Sequence, residues 1–191
     1  MDAVEFVDNL HSNQHLLHLI TDPKKGQSIQ FKFLQDGLSK NEHCIYLTHE
    51  NPEKIRNQMQ EFGIDTDRFI KNNLLHIYKV PNLLTHPLGS LRAFQDFFDQ
   101  IMPESKPKFR LVGRAIDDIT TEKGWDAEME IERLVHSTFD SINGIILCYY
   151  DSFQKLAYPR TAPHVKQLFG HHHGVIFSTI SAPEFAGNLH D

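Results

Sequence analysis

The sequence is short of cysteine, of long apolar runs and of clustered positive charge. Its two cysteines, Cys44 and Cys148, lie in apolar strand-like segments, where cysteine is usually a small buried hydrophobe. A disulfide or a thiol nucleophile would need a partner that the sequence does not identify. The formal net charge is −6 and lysine and arginine form no block, which argues against direct partners such as nucleic acid or a membrane surface. No stretch reaches the apolar length of a membrane span and the acidic N-terminus lacks a signal-peptide pattern, so we expect a cytoplasmic protein.

Short apolar runs alternate with amphipathic segments along the chain. Hydrophobic residues make up 40% and charged residues 23% of 191 residues, as in an ordinary soluble domain. We expect one domain over residues 1–191, with a core from about 15 to 180, a short N-terminal arm and a C-terminal tail. The apolar runs predict strands at Leu16–Ile20, Cys44–Leu47, Leu74–Val80, Phe109–Val112, Ile145–Tyr149 and Val175–Phe177. Helices are expected over Lys25–Leu38, Asn51–Gly63 and Leu91–Ile101, from an Asp126 cap to Thr138, and from Pro163.

This alternation of strands and helices predicts the fold class. Parallel strands joined by helical crossovers form a sheet that is covered by helices on both faces. We therefore expect an α/β fold, a three-layer αβα sandwich with a mainly parallel sheet.

The loop after the first predicted strand is where an α/β protein often holds phosphate. Here it reads TDPKKGQ, residues 21–27. A phosphate-binding loop needs several glycines, so that backbone N–H groups can wrap the phosphates, and a Lys-Ser/Thr pair. This loop has one glycine, Gly26, and no such pair, so we expect no cofactor and no ATP hydrolysis.

Several short motifs in order carry a resemblance to a known family. They are His15 followed by LLHLITD, then FLQDGL, EHCIYL, MQEFGID, LCYYD and HHGVIF, and they span roughly His15 to Thr179. With them the sequence resembles the MEDS family, the sensory domain of methanogen and methylotroph regulators and of the dichloromethane regulator. The resemblance implies a RecA/KaiC-like sheet without the Walker A loop, and a role in binding small molecules or relaying signals. It also implies that a separate protein partner receives the output and that the chain assembles as a homo-oligomer.

Polar side chains follow four of the predicted strands, where a ligand cleft would lie. Glu50 is either a general base or ligand acceptor, or an ordinary acid at a helix N-terminus. Asp151 is either a metal or ligand acid, or a turn cap. Arg114 is either a bidentate hydrogen-bond donor to a carboxylate or phosphate, or one half of a surface ion pair with a nearby aspartate. The candidate ligand-binding residues are His15, Thr21, Asp22, Thr48, Glu50, Arg114, Asp117 and Asp151.

Thirteen histidines raise the question of a metal site. Adjacent strand residues point to opposite faces, so His171, His172 and His173 cannot all bind one ion from regular structure. His164 could join one of them, but no Cys/His spacing matches a standard zinc site. We expect no metal, with metal binding as the minority alternative. His15 and His18 are expected on opposite faces of the first strand.

Three functions remain after this reasoning. The first is a noncatalytic sensory or ligand-binding module with its pocket beyond the strand ends. The second is an atypical nucleotide-binding ATPase that uses Glu50 and Asp151, and the absent Lys-Ser/Thr pair argues against it. The third is a scaffold protein with a dead site, which the polar residues after the strands disfavour.

Overall fold

The structure is a computed structural model that describes residues 2–10, 13–102, 107–151, 162–179 and 185–189. Within these residues the helices are α1 (Ala3–Asp8), α2 (Pro23–Ser39), α3 (Pro52–Phe62), α4 (Thr66–Lys71), α5 (Ser90–Ile101), α6 (Glu122–Thr138) and α7 (Ala162–Gly170). The strands are β1 (Gln14–Ile20), β2 (His43–Thr48), β3 (Leu75–Lys79), β4 (Phe109–Gly113), β5 (Gly144–Asp151), β6 (Gly174–Ser178) and β7 (Phe185–Asn188).

The strands form one sheet in the order β3-β2-β4-β5-β1-β6-β7. Every neighbouring pair is parallel except β6 and β7. The predicted α/β class and the mainly parallel sheet are therefore confirmed. Since β2, β4, β5 and β1 are adjacent and parallel, their carboxyl ends meet along one side of the sheet, which we term the carboxyl edge.

The two faces of the sheet bury separate apolar clusters, because side chains alternate along each strand. Leu17 and Leu19 of β1 pack with residues of α5 and α6, whereas Leu16 packs with residues of α1 and α2. Helices thus cover both faces and complete the three layers. Among the described residues, no helix is both long enough and apolar enough to cross a bilayer.

Helix ends follow local signals in the sequence. Pro52 opens α3 behind an Asn51 cap, and Gly63 ends it in the left-handed conformation at φ 103°. The expected Asp126 cap of α6 is wrong. The helix begins one turn earlier, at Glu122, because the Thr121 hydroxyl accepts a hydrogen bond from the Gly124 N–H at 3.1 Å.

Two further details differ from the sequence-based expectation. Gly37 is near the expected end of the helix, where glycine often terminates helices, yet it does not end α2. It lies inside the helix, where a Cβ would stand 2.6 Å from Arg110 Cδ. Thr138, at helical spacing from the apolar residues of α6, is expected to face inward with them, but it is exposed. At the chain ends, α1 buries Phe6 and Val7, and β7 adds an antiparallel strand within the expected C-terminal tail.

Candidate functional site at the carboxyl edge

A cavity of about 200 Å³ lies at the carboxyl edge, among the ends of β1, β2, β4 and β5 and the first turns of α2 and α3. Five of the eight predicted site residues line it: Thr48, Glu50, Arg114, Asp117 and Asp151. Thr21, Asp22 and His15 do not. The topology explains this grouping, because the four strands that precede these polar residues are neighbours.

Arg114 is the anchor of the cavity. Its side chain is 9% exposed, and its Nη1 donates to Asp151 Oδ1 at 2.8 Å. Nε donates to the Ile116 carbonyl at 2.8 Å and Nη2 to the Asp117 carbonyl at 2.9 Å. The guanidinium also lies 5.9 Å from the centre of the Tyr149 ring. Arg114 is therefore more than one half of a local surface pair, because it fixes the β4–α6 loop and holds the Asp151 carboxylate.

Aromatic and amide groups form the rest of the wall. The Tyr46 hydroxyl donates to Gln30 Oε1 at 2.8 Å, and burial raises the pKa of Tyr46 well above its ordinary value. Burial likewise raises the pKa of Tyr149 to about 12, despite the opposing effect of Arg114. Burial lowers the pKa of His49, whose Nε2 lies 3.1 Å from the Arg114 carbonyl oxygen. Near neutral pH these three side chains are uncharged and offer hydrogen bonds only.

Sequence reasoning did not single out Tyr46, His49 or Tyr149. Tyr46 and Tyr149 lie inside apolar runs, a pattern that is typical of core residues. Each nevertheless lies two residues before a predicted polar site residue: Tyr46 before Thr48, and Tyr149 before Asp151. In a strand that spacing returns a side chain to the same face. This was the signal that could have identified them.

The first βα loop is closed to phosphate. Only Thr21 and Asp22 separate β1 from α2. The Asp22 side chain accepts hydrogen bonds from the N–H groups of Lys24 and Lys25 at 3.0 and 3.2 Å, and Pro23 has no N–H to offer. The helix N-terminus that would bind an anion is thus occupied by the protein's own carboxylate.

The alternative role of Glu50 as a general base gains no support from its surroundings. Its side chain is 57% exposed and forms an ion pair with Lys54, one turn along α3. A general base is normally buried enough for its pKa to approach the working pH.

We accordingly expect background ATP hydrolysis from the purified chain, because neither the loop nor Glu50 is arranged for phosphoryl transfer. A phosphate-release assay with Mg·ATP measures this directly. The Glu50→Gln variant should give the same trace as the wild type. Turnover at an ordinary enzymatic rate that Glu50→Gln abolishes would establish the ATPase alternative instead.

His15 lies at the other end of β1. Ile20 is five positions further along the strand, a distance of about 16 Å, so His15 cannot join the cavity. It is fully buried and packs on the α6 side of the sheet, with its Nε2 3.1 Å from Glu132 Oε2. His18 is also fully buried and contacts Ser178.

Comparison with known proteins adds two findings. The sequence model of the "MEthanogen/methylotroph, DcmR Sensory domain", abbreviated MEDS, matches residues 14–161. The crystal structure of a KaiC-like protein from the hyperthermophilic archaeon Pyrococcus horikoshii OT3 superposes with a TM-score of 0.65 at 15% identity, over 92% of this chain and 77% of that one. At that identity the likeness concerns the fold. No curated protein sequence matches the chain.

Proposed function

The chain belongs to the MEDS family, and from this premise we propose that it is a noncatalytic sensory module that binds a small polar ligand in the carboxyl-edge cavity. The observation that carries the proposal is the pairing of a closed phosphate loop with an open, polar cavity beside it. A RecA-like scaffold that has lost its phosphate cradle but keeps a lined cleft is suited to recognition rather than to phosphoryl transfer.

The size of the cavity limits the ligand. Sites for drug-sized molecules measure about 300–1,000 Å³, and this cavity measures about 200 Å³. A nucleoside triphosphate is larger than that space. The ligand is therefore a small metabolite.

The charges of the residues that line the cavity limit the ligand further. The acids are Glu50, Asp117 and Asp151, and Arg114 is the lining cation. Three of the five N–H groups of Arg114 already donate to protein oxygens. Acceptors therefore outnumber donors, and the lining favours a neutral or cationic molecule that donates N–H or O–H hydrogen bonds, such as a small amine or alcohol.

A sensory module must pass the state of its ligand site to a second macromolecule. We propose a separate protein partner that reads the state of the loops around the cavity, with no role for nucleic acid or a membrane surface. The net charge of −6 supports the second half of this statement. Assembly of the chain into a homo-oligomer is part of the same proposal.

A screen by thermal shift tests the ligand class. The panel contains small amines, alcohols, halogenated hydrocarbons, carboxylates and Mg·ATP, each added to the full chain. We expect stabilisation by an amine or alcohol and none by ATP. Stabilisation by ATP alone would contradict the proposal.

The Asp151→Asn variant then tests the place of binding. Asparagine still offers Arg114 a carbonyl acceptor but removes the charge, so the folded state should survive. Affinity for an amine found in the screen should fall about tenfold, since a hydrogen bond to a charged group contributes about 1.5–3 kcal/mol. Titration calorimetry measures the change.

The matched control is Asp67→Asn. Asp67 resembles Asp151 in its exposure, 66% against 61%, and in its ion pair with an arginine. Its partner is Arg56 of α3, at 2.7 Å, and the pair does not line the cavity. An equal loss of affinity in both variants would exclude the cavity as the binding site. Arg114→Ala is less informative, because Arg114 also holds the backbone of its own loop.

A further inference from the structure

Four buried side chains with metal-ligating atoms meet on the α6 side of the sheet: His15, Glu132, Cys148 and His172. One donor atom from each lies within 4.8 Å of all the others. The distances are 3.1 Å from His15 Nε2 to Glu132 Oε2, 3.2 Å from His15 Nε2 to Cys148 Sγ, and 3.5 Å from His172 Nε2 to Glu132 Oε2. None of the four residues is more than 8% exposed. We term them the buried cluster.

The fold brings the cluster together from four separate parts of the sequence. His15 opposes Ile146 in the pairing of β1 with β5, so Cys148, two residues on, lies on the same face. Glu132 projects from α6, which packs on that face, and His172 lies in the turn between α7 and β6. Sequence spacing could not reveal the cluster, because no two members are close along the chain.

Three polar atoms of the cluster residues have no hydrogen-bond partner among the described residues: His15 Nδ1, His172 Nε2 and Glu132 Oε2. His172 Nδ1 lies 2.6 Å from the Leu168 carbonyl oxygen, a contact that requires a proton on Nδ1. In a neutral imidazole a proton on Nδ1 leaves Nε2 with a bare lone pair. That lone pair faces a carboxylate oxygen, and two acceptors in a buried site repel each other unless a cation lies between them.

We propose that the buried cluster binds a divalent transition metal ion, Zn²⁺ in the first place, through His15 Nε2, Glu132 Oε2, Cys148 Sγ and His172 Nε2. Imidazole nitrogen, thiolate sulfur and carboxylate oxygen are the ligands that zinc takes in proteins. Four protein ligands, all of them buried, describe a closed, structural type of site.

The charges balance in such a complex. Zn²⁺ contributes two positive charges, the Glu132 carboxylate and the Cys148 thiolate contribute one negative charge each, and both imidazoles are neutral. Binding displaces the thiol proton of Cys148 to solvent, as metal binding by cysteine requires.

The groups behind the ligands fit the same assignment. Metal-binding histidines commonly donate their second N–H to a backbone carbonyl, as His172 does to Leu168. The Tyr150 hydroxyl donates to the other carboxylate oxygen of Glu132, which leaves Oε2 to the ion. Tetrahedral zinc with bonds of about 2.0–2.3 Å sets its ligand atoms about 3.3–3.8 Å apart, close to the spacing of the cluster.

Metal analysis of the full chain tests the proposal. The protein is produced without an affinity tag in medium supplemented with zinc, passed through a sizing column with a weak chelator, and analysed by mass spectrometry for metals. We expect about one zinc ion per chain. Folded wild-type protein that holds no metal after growth in zinc and in cobalt would overturn the proposal.

Cobalt-grown protein identifies the sulfur ligand. A Co²⁺–thiolate bond gives a near-ultraviolet charge-transfer band, which Cys148→Ser should remove. Cys44→Ser is the matched control, because Cys44 is also buried but packs in the opposite apolar cluster, and it should leave the band unchanged. If the Cys148 variant fails to fold, the wild-type protein alone decides whether a thiolate binds the metal. Absence of the band from cobalt-grown wild-type protein would contradict a thiolate ligand.

A second pair of variants separates the cluster from surface histidines. His172→Ala should weaken zinc binding by at least about tenfold, in line with losses of metal-site groups. His171→Ala makes the same change one residue away, at a partly exposed side chain, and should keep the ion. Equal losses in the two variants would assign the metal to the surface.

Discussion

Replacing Arg110 by methionine is expected to lower the free energy of unfolding by about 3–5 kcal/mol, the usual cost of removing one partner from a buried ion pair. Arg110 is 1% exposed. It donates to Glu42 and Asp36 at 2.6 Å each and to the Phe33 carbonyl at 2.9 Å. Methionine fills the space but leaves the two carboxylates without their central partner.

Urea unfolding measures this change, and two further variants sharpen it. Adding Asp36→Asn and Glu42→Gln to Arg110→Met should recover part of the loss, because both acids are then neutral amides. Their other partners, Lys40 and Lys108, are 44% and 40% exposed and stay hydrated. Arg56→Met is the control, since Arg56 forms exposed ion pairs with Glu53 and Asp67 that contribute little. Similar losses for Arg110→Met and Arg56→Met would show that burial of the pair is not the cause.

A second large effect is expected from pH. His18 is fully buried in β1, with its Nε2 2.8 Å from Ser178 Oγ, and burial lowers its pKa to about 3. Below pH 6.5 the unfolded chain binds a proton at this histidine and the folded chain does not. Stability should therefore fall as the pH falls from about 6.5 towards 3, by about 3 kcal/mol at pH 4 from this group.

The His18→Gln variant isolates that contribution. Glutamine can still form a hydrogen bond with Ser178 but does not titrate. The variant should therefore lose about 3 kcal/mol less stability between pH 7 and pH 4 than the wild type does. His86→Gln makes the same change at a partly exposed loop residue and should follow the wild-type curve. Parallel curves for His18→Gln and the wild type would mean that His18 is protonated in the folded state.

The sequence carried enough information to predict the carboxyl edge. Strand ends are marked by a change from apolar to polar residues, as at Leu47 to Thr48 and Tyr149 to Asp151, and parallel strands place such ends side by side. Thr48, Glu50, Arg114, Asp117 and Asp151 could be grouped on that basis alone. Thr21 and Asp22 follow the same pattern, but their hydrogen bonds go to Ser178 and to the first turn of α2.

The buried cluster and the Arg110 network could not be predicted in this way. Glu132 is charged and lies on a helix, which usually indicates a solvent-facing position, yet it is 2% exposed. Arg110 interrupts an apolar strand, and its partners lie 68 and 74 residues away in sequence. The pairing of β4 with β2 and of β1 with β5 brings these groups into contact. The short β7 was missed because FAGN offers too little alternation to predict a strand.

The central claim is that a small molecule binds at the carboxyl edge while the nucleotide site of the scaffold is closed. Amide chemical-shift mapping tests both halves in one experiment, with the best amine or alcohol from the screen and then with Mg·ATP. The account predicts saturable shifts for the first ligand at residues 46–50, 113–117 and 149–151, and none for Mg·ATP. Saturable shifts at residues 21–27 with Mg·ATP would contradict the account. So would ligand shifts confined to Gly63 at the end of α3 and to Ile142–Gly144 before β5, away from the carboxyl edge.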